Sequence, residues 1–329
     1  MTMKVAIMGC GPGGSYLYIL LRQRRPELEV NLFDIPHNNP CGIKGCGWVV
    51  SYPEFSSLCR EVGLNPKEFT LGLHKQAFIQ GVKVKASLAV INKPLFIKQM
   101  LAGRFPEEPS AARLNDYERI VDATGAQRAY LSPHSGPLIF TTFQTKISLN
   151  SSLPPQGFLN YGGGYTWVIP LSSGEAHLGS FSPYGLEAAR REVERTRQKL
   201  RAGPSICACQ TLVRCHGPLL PFIEGRIWGL GEAIGLVDPV VGVGIVPAMI
   251  SAKLMVENWN RPQDYERQVW SRYSYMVREA KMLLRLGRKR QKPSWWDLLC
   301  ILLTRKIFHT IGLYPGLREL INLRNLVRI

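Results

Sequence analysis

The apolar positions at the start of the chain fall in short blocks separated by glycine. Residues 5–8 form a four-residue apolar run closed at once by Gly9, the pattern of a buried parallel strand. Residues 16–21 are a longer apolar stretch that can form a helix beginning at the glycines. Residues 30–33 are a second strand ending at Asp34. Further on, residues 56–62 read as a short helix closed by Gly63. Residues 69–90 alternate irregularly, with strand material at their C-terminal end. Lys93-Pro94 opens another helix, where the missing N–H of proline is not needed. Residues 117–125 are a buried strand that ends in a glycine turn. Residues 138–147 and 158–178 are rich in aromatic and β-branched positions and read as sheet. Residues 185–201 are a charged helix, residues 207–215 a strand returning to the first domain, and residues 226–230 a short strand. A helix follows over 245–256, and from residue 263 the chain reads as helical and basic.

The order strand–helix–strand, inserted sheet, and return predicts an α/β protein with a mixed or antiparallel lobe. A nucleotide-binding domain is expected over 1–72, 92–135 and 208–260. A sheet domain for the substrate is expected over 73–91 and 136–207, and a helical, basic C-terminal region over 261–329.

The glycines between the first strand and helix carry the first chemistry. Gly9, Gly11 and Gly14 stand at G-x-G-x-x-G spacing, with Gly13 beside them. The first permits a tight turn, the second lets a pyrophosphate approach the backbone, and the third lets helix pack on strand. The helix N-terminus supplies free N–H groups for phosphate. Asp34 follows at the distance of a ribose-binding acid. Glycine triplets also mark ordinary turns, but strand context and acid together point to a dinucleotide.

Composition adds an electrostatic bias. Of 329 residues, 41 are Lys or Arg and 24 Asp or Glu, a net charge of +17. That suits an anionic partner such as a lipid surface or a phosphorylated substrate, or else a solvated basic surface. No base-stacking motif is present, so a nucleic-acid partner is not expected. The eight cysteines show no C-x-x-C pair, which argues against a metal site. They are expected to be mostly free thiols in a reducing, cytoplasmic setting, although a Cys41–Cys46 disulfide is geometrically open. No apolar run approaches the ~18 residues of a membrane span.

Three further stretches resemble, in order, the FAD-dependent oxidoreductases of the aromatic hydroxylase fold. Residues 117–130, with Ala123-Thr124-Gly125 and then Arg128, are similar to that group's strand ending in Ala-Thr-Gly or Ala-Asp-Gly. Residues 229–245 are similar to its late flavin motif, with Gly231, Asp238, Pro239, Gly242 and Gly244 matching; Val243 and Ile245 lie within it. Glu232 stands where the group has aspartate. Lys93 stands where it has arginine, and can still meet a phosphate as a point charge. The resemblance implies a Rossmann-like FAD-binding domain with an inserted sheet domain.

Within that group the chain most resembles the geranylgeranyl reductase family. The carriers are Tyr165-Thr166-Trp167-Val168-Ile169-Pro170, similar to Y-x-W-x-F-P, with Gly179 after it and Phe181 where a second glycine is usual. Pro40-Cys41-Gly42 resembles that family's P-C-G loop beside the flavin. Flavin halogenases carry a similar W-x-W-x-I-P. The resemblance implies FAD and reduction of the double bonds of a geranylgeranyl lipid or pyrophosphate, with NADPH or ferredoxin as candidate electron donors. A flavin monooxygenase or halogenase, and a basic membrane- or nucleic-acid-binding protein with a vestigial nucleotide fold, are the alternatives. Tyr165, Trp167 and Ile169 alternate on one strand face, which is either the wall of an isoprenoid slot or packed core. Cys41 is either a proton-donating or redox thiol, or a small inert hydrophobe. The tail, with Trp295-Trp296 beside basic residues, is either a peripheral membrane contact or a cap on the core.

Overall fold

Strand β1 (Lys4–Met8) lies at the centre of the first sheet, with Val5, Ala6 and Ile7 fully buried. It runs parallel to β2 (Glu29–Phe33) on one side and β6 (Arg119–Asp122) on the other. β13 (Ile227–Gly229) extends the sheet in parallel, and the two-residue β12 (Ile223–Glu224) closes that edge antiparallel. The order is β12-β13-β6-β1-β2. In this computed structural model the described residues are 2–35, 46–111, 113–134, 139–149, 153–160, 164–171, 174–289, 293–297, 300 and 312–326.

Helix α1 (Pro12–Arg24) crosses from β1 to β2. Proline stands in its first turn, and Arg22 and Arg24 lie in its last, where positive charge complements the helix dipole. Its buried Tyr16, Leu17, Leu20 and Leu21 join the main core with Met249 and Ala252 of α5 (Ile245–Glu257). At Gly13 an added Cβ would come 3.1 Å from the Ala248 Cβ, so the two helices pack without intervening side chains.

The second sheet has nine strands: β3 (Val49–Ser51), β4 (Thr70–Ile79), β5 (Val82–Ile91), β7 (Ile139–Ser148), β8 (Gln156–Leu159), β9 (Tyr165–Pro170), β10 (Glu175–Ser182), β11 (Ser205–Arg214) and β14 (Leu313–Tyr314). They run in the order β11-β7-β10-β9-β8-β4-β5-β14, with β3 also on β5. All pairs are antiparallel except β4 with β8. Alternation along β9 sorts its side chains. Val168 joins Leu178 and Ile147 beneath α4 (Leu186–Lys199), whereas Trp167 and Ile169 join Val90 on the opposite face. The outward side of α4 carries Arg–Glu pairs at i,i+3, such as Arg195–Glu192.

Several expectations meet a different structure. α2 (Tyr52–Glu61) begins four residues before the expected 56, because Pro53 is accommodated in its first turn. β11 belongs to the nine-stranded sheet, so the expected boundary at 207/208 falls inside it. The C-terminal region is not uniformly helical: α6 (Pro262–Lys289) and α7 (Leu317–Leu326) are separated in sequence from one another by β14, which pairs with β5. Cys46 is a free thiol, which rules out a Cys41–Cys46 disulfide. Cys207 is disulfide-bonded, whereas Cys10, Cys59, Cys209, Cys215 and Cys300 are in no disulfide, in line with the expectation of mostly reduced cysteines. Among the described residues no helix is long and apolar enough to cross a membrane.

Aromatic contacts tie α6 to the first sheet. The Tyr265 hydroxyl donates to the Gly229 carbonyl at 2.7 Å. The Arg119 guanidinium lies 4.0 Å from the ring centroids of both Trp228 and Trp259 and donates to the Trp259 carbonyl.

His177 of β10 gives this core a pH dependence. Its ring is fully buried, with an edge-to-face contact to Trp48 at 4.5 Å. Burial pushes it down from 6.5 to about 4. The unfolded chain therefore binds a proton that the folded chain refuses, and stability falls as pH drops from 6.5 towards 4. Between pH 7 and pH 5 this one group accounts for about 2 kcal/mol. Denaturant melts of His177→Phe should lose that much less stability than the wild type over the same interval; equal losses would contradict the assignment.

Candidate functional site

Three turns meet above the C-terminal ends of β1, β6 and β13. The turn after β1 begins at Gly9, with φ +105°, and an added Cβ would lie 2.4 Å from the Ala123 carbonyl oxygen in the turn after β6. A Cβ at Gly14 would lie 2.0 Å from the Gly9 oxygen. The protein's own backbone thus excludes side chains at the first and third glycines. Gly11 differs: nothing lies within 4 Å of its added Cβ. Its side faces open cavity, where a pyrophosphate would approach. Gly11 is also the N-cap of α1 and offers no side-chain cap, which leaves helix N–H groups for an anion.

Asp122, at the end of β6, shapes the second turn. Its Oδ1 accepts from the Thr124 N–H and, at 2.6 Å, from the Thr124 hydroxyl; its Oδ2 accepts from the N–H groups of Tyr130 and Leu131. Arg128, held in the left-handed region at φ 47°, donates to the carbonyls of Ser132, Pro221 and Ala233. It ties the second turn to the segment after β13 through Ala233 and to the segment before β12 through Pro221.

The third turn carries the late glycine element. Asp238 is fully buried; its Oδ1 accepts from the N–H groups of Val240 and Val241. Gly242 has φ +69°, and a Cβ there would meet the Tyr165 hydroxyl at 2.4 Å. That hydroxyl donates to the Val241 carbonyl at 2.5 Å, which joins β9 of the second sheet to the turn. Gly244 then caps α5, again without a side-chain cap.

These turns wall one cavity of about 1020 Å³. Gly9, Gly11, Gly13, Gly14 and Asp34 line it from the first turn, and Ala123, Thr124 and Gly125 from the second. Gly231, Glu232, Asp238, Gly242, Val243, Gly244 and Ile245 line it from the third. Lys93, at the start of α3 (Lys93–Met100), Tyr165 and Trp167 complete the set. Cys41 and Gly42 lie outside the described residues. Glu232 faces the cavity, accepts from the Arg214 N–H at 2.8 Å, and is pushed up to about 7 by burial, against the charges of Lys93 and Arg214. Trp167 donates from Nε1 to Gln144 at 2.9 Å. A Cβ at Gly179 would come 2.3 Å from the Trp167 ring, so that glycine makes room for the indole.

Other lining residues carry no motif. Three free thiols, Cys46, Cys209 and Cys215, stand on the wall. Burial pushes Cys209 up to about 11 and Cys215 well above its ordinary value, so both are neutral thiols. An apolar part of the lining is formed by Ala77, Ile79, Val84 and Leu88 from the β4–β5 hairpin, Met282 and Leu283 from α6, and Leu320 and Leu323 from α7. The C-terminal region therefore builds part of the cavity. Among the described residues no cluster of His, Cys, Asp and Glu could hold a metal. The set fits an extended dinucleotide: glycine backbone and a helix N-terminus for phosphate, an acid for ribose, and a second glycine turn for a flat ring.

No family model matches the chain. A digeranylgeranylglycerophospholipid reductase of Methanocella arvoryzae is 30% identical over 125 residues, which span 36% of this chain and 32% of that protein. The chain's match thus covers about a third of the curated relative's length. Among solved structures, a geranylgeranyl bacteriochlorophyll reductase-like protein of Thermoplasma acidophilum superposes with a TM-score of 0.73 at 16% identity, covering 98% of this chain and 96% of its own. A probable FAD-dependent monooxygenase of Pseudomonas aeruginosa superposes with a TM-score of 0.57 at 16% identity, covering 87% and 94%. The chain shares the fold of these proteins. Their common core is the Rossmann-type sheet with the second sheet inserted, as the sequence resemblance implies.

The contrast between glycines gives a test. Gly11→Val should leave thermal stability near the wild type yet abolish dinucleotide retention, since its side chain would enter only the cavity. Gly14→Ala should lower the melting temperature by several degrees, because its methyl overlaps the Gly9 oxygen. Gly11→Val protein that retains full cofactor, read by absorbance after denaturation, would contradict the placement.

Proposed function

We propose that this protein is an FAD-dependent oxidoreductase that reduces carbon–carbon double bonds of a geranylgeranyl or related isoprenoid lipid. The observation that carries this reading is the continuity of the cavity. A dinucleotide cleft at the glycine turns opens directly into an apolar chamber walled by Trp167, Ile169, Leu88, Leu283 and Leu320. The partial sequence match to a digeranylgeranylglycerophospholipid reductase points to the same substrate class. FAD, when bound and reduced, supplies a hydride equivalent.

The protein's part is binding, orientation and exclusion of water. Gly9, Gly11, Gly13 and Gly14 receive the pyrophosphate, Asp34 the ribose, and Lys93 adds a positive charge. Gly242 to Ile245 bring the positive end of α5 to the ring, where it favours negative charge on the reduced flavin. Tyr165 and Trp167 position the substrate chain against the ring. Cys41 and Gly42, which lie outside the described residues, keep in this reading the role that the sequence resemblance implies. NADPH or ferredoxin is the candidate electron donor.

The tail completes the reading. Trp295 and Trp296 are 58% and 69% exposed, and Leu317 at the start of α7 is 54% exposed. The Arg324 guanidinium lies over the Trp295 ring at 4.9 Å. Tryptophan, exposed leucine and arginine together suit a peripheral contact with a lipid surface, from which a lipid substrate enters between α6 and α7. The working compartment is then the cytoplasmic face of a membrane.

An isolated alkene is a weak hydride acceptor, so placement supplies much of the rate. With dithionite-reduced FAD, without oxygen, and with geranylgeranyl lipid in anionic vesicles, the protein should add two hydrogens per double bond reduced. Trp167→Ala should lower turnover about tenfold or more with FAD still bound, and Trp295→Ala with Trp296→Ala should lower the vesicle-bound fraction. Absence of any reduced lipid, with a hydroxylated or halogenated product formed in air, would overturn the reading.

A further inference from the structure

Reducing a double bond takes a proton as well as a hydride, and the cavity wall carries two carboxyls placed to hold one. Glu279 of α6 is 8% exposed and its Oε2 has no hydrogen-bond partner. Asp238, in the turn before α5, uses Oδ1 for two backbone N–H groups, while its buried Oδ2 has no partner. Both residues line the cavity. A buried carboxylate oxygen without a donor is costly, and protonation turns the group into a donor that needs no counter-charge.

The surroundings favour that protonated form. Burial raises both carboxyls, and the charge of Asp238 raises Glu279 further, so the pair resists double ionisation. Arg278 pulls the other way on Glu279. Tyr275 is raised by burial and by the charges of Asp238 and Glu279, and stays neutral. Position matters equally. Glu279 lies on the same face of α6 as Met282 and Leu283, at i+3 and i+4, and these line the apolar chamber. The acid thus stands on the face of α6 that lines the chamber.

We propose that Glu279, one of two buried carboxyls on the cavity wall, holds a proton there and delivers it to the substrate. This rests on the reductase reading above. Two electrons enter the double bond as hydride at one carbon. The other carbon takes the proton from Glu279, whose O–H bond breaks as the C–H bond forms. The carboxylate left behind regains a proton from water, with Asp238 limiting how long the pair stays doubly charged.

Infrared difference spectra test the stored proton without substrate or turnover. At pH 8, where Glu232 is largely ionised, the wild-type protein should show a protonated-carboxyl C=O band that Glu279→Gln removes and Asp238→Asn shifts. A band that survives unchanged in Glu279→Gln, or no band in the wild type, overturns the stored proton. The donor role is read in the anaerobic lipid assay, where Glu279→Gln should lose about 10²-fold in kcat with KM and bound FAD little changed. Equal kcat in the wild type and Glu279→Gln overturns the donor alone. Absence of lipid reduction by the wild type overturns the reductase reading and the donor role with it, whereas the infrared result stands on its own.

Discussion

No side chain can stand between Gly9 and Ala123, or between Gly14 and Gly9, and the rest of the site follows from that. With added Cβ atoms at 2.4 and 2.0 Å from carbonyl oxygens, these backbones are already in contact. The contact brings the turns after β1 and β6 side by side. Asp122 then spends both carboxylate oxygens on the second turn, and Arg128 ties that turn to the segment after β13 through the Ala233 carbonyl and to the segment before β12 through the Pro221 carbonyl. Of the three glycines of the first motif, Gly11 alone has open space beside it. The distinction between glycines needed by the fold and a glycine needed by a ligand is physical, and motif spacing alone does not make it.

The second sheet is positioned by the same logic at longer range. Tyr165 reaches from β9 to the Val241 carbonyl, at the place where Gly242 lacks a side chain. Trp167 lies on Gly179 and is held by Gln144. The aromatic face of β9 is therefore packed and still lines the cavity. The far wall comes from α6 and α7, which puts the exposed tryptophans of the tail on the same part of the molecule as the apolar end of the cavity.

Much of this was legible in the residues. The β1–α1–β2 unit announces itself through glycine spacing, an apolar run and Asp34, all local signals. The β9 face is legible because strand alternation is also local. What was not legible depends on tertiary placement. Glu279 sits in a helix of mixed charge, and nothing in its neighbours shows that this carboxyl points inward. Cys46, Cys209 and Cys215 converge from distant segments without metal or redox spacing. Two-residue β14 is too short for any periodicity, and Cys207 has no pairing cue at all. Arg128 was visible as part of a motif, but its work as a clamp on three carbonyls depends on turns that the sequence leaves unplaced.

We propose that one continuous cavity seats FAD at the glycine turns and an isoprenoid chain beside it. The most direct measurement is the visible absorbance of the purified, oxidised protein titrated with a geranylgeranyl lipid. Yellow protein whose flavin bands shift and saturate as lipid is added is the predicted result, because the chain would enter the space next to the ring. A colourless protein that takes up no FAD, or a flavin spectrum untouched by a lipid that demonstrably binds, would contradict it.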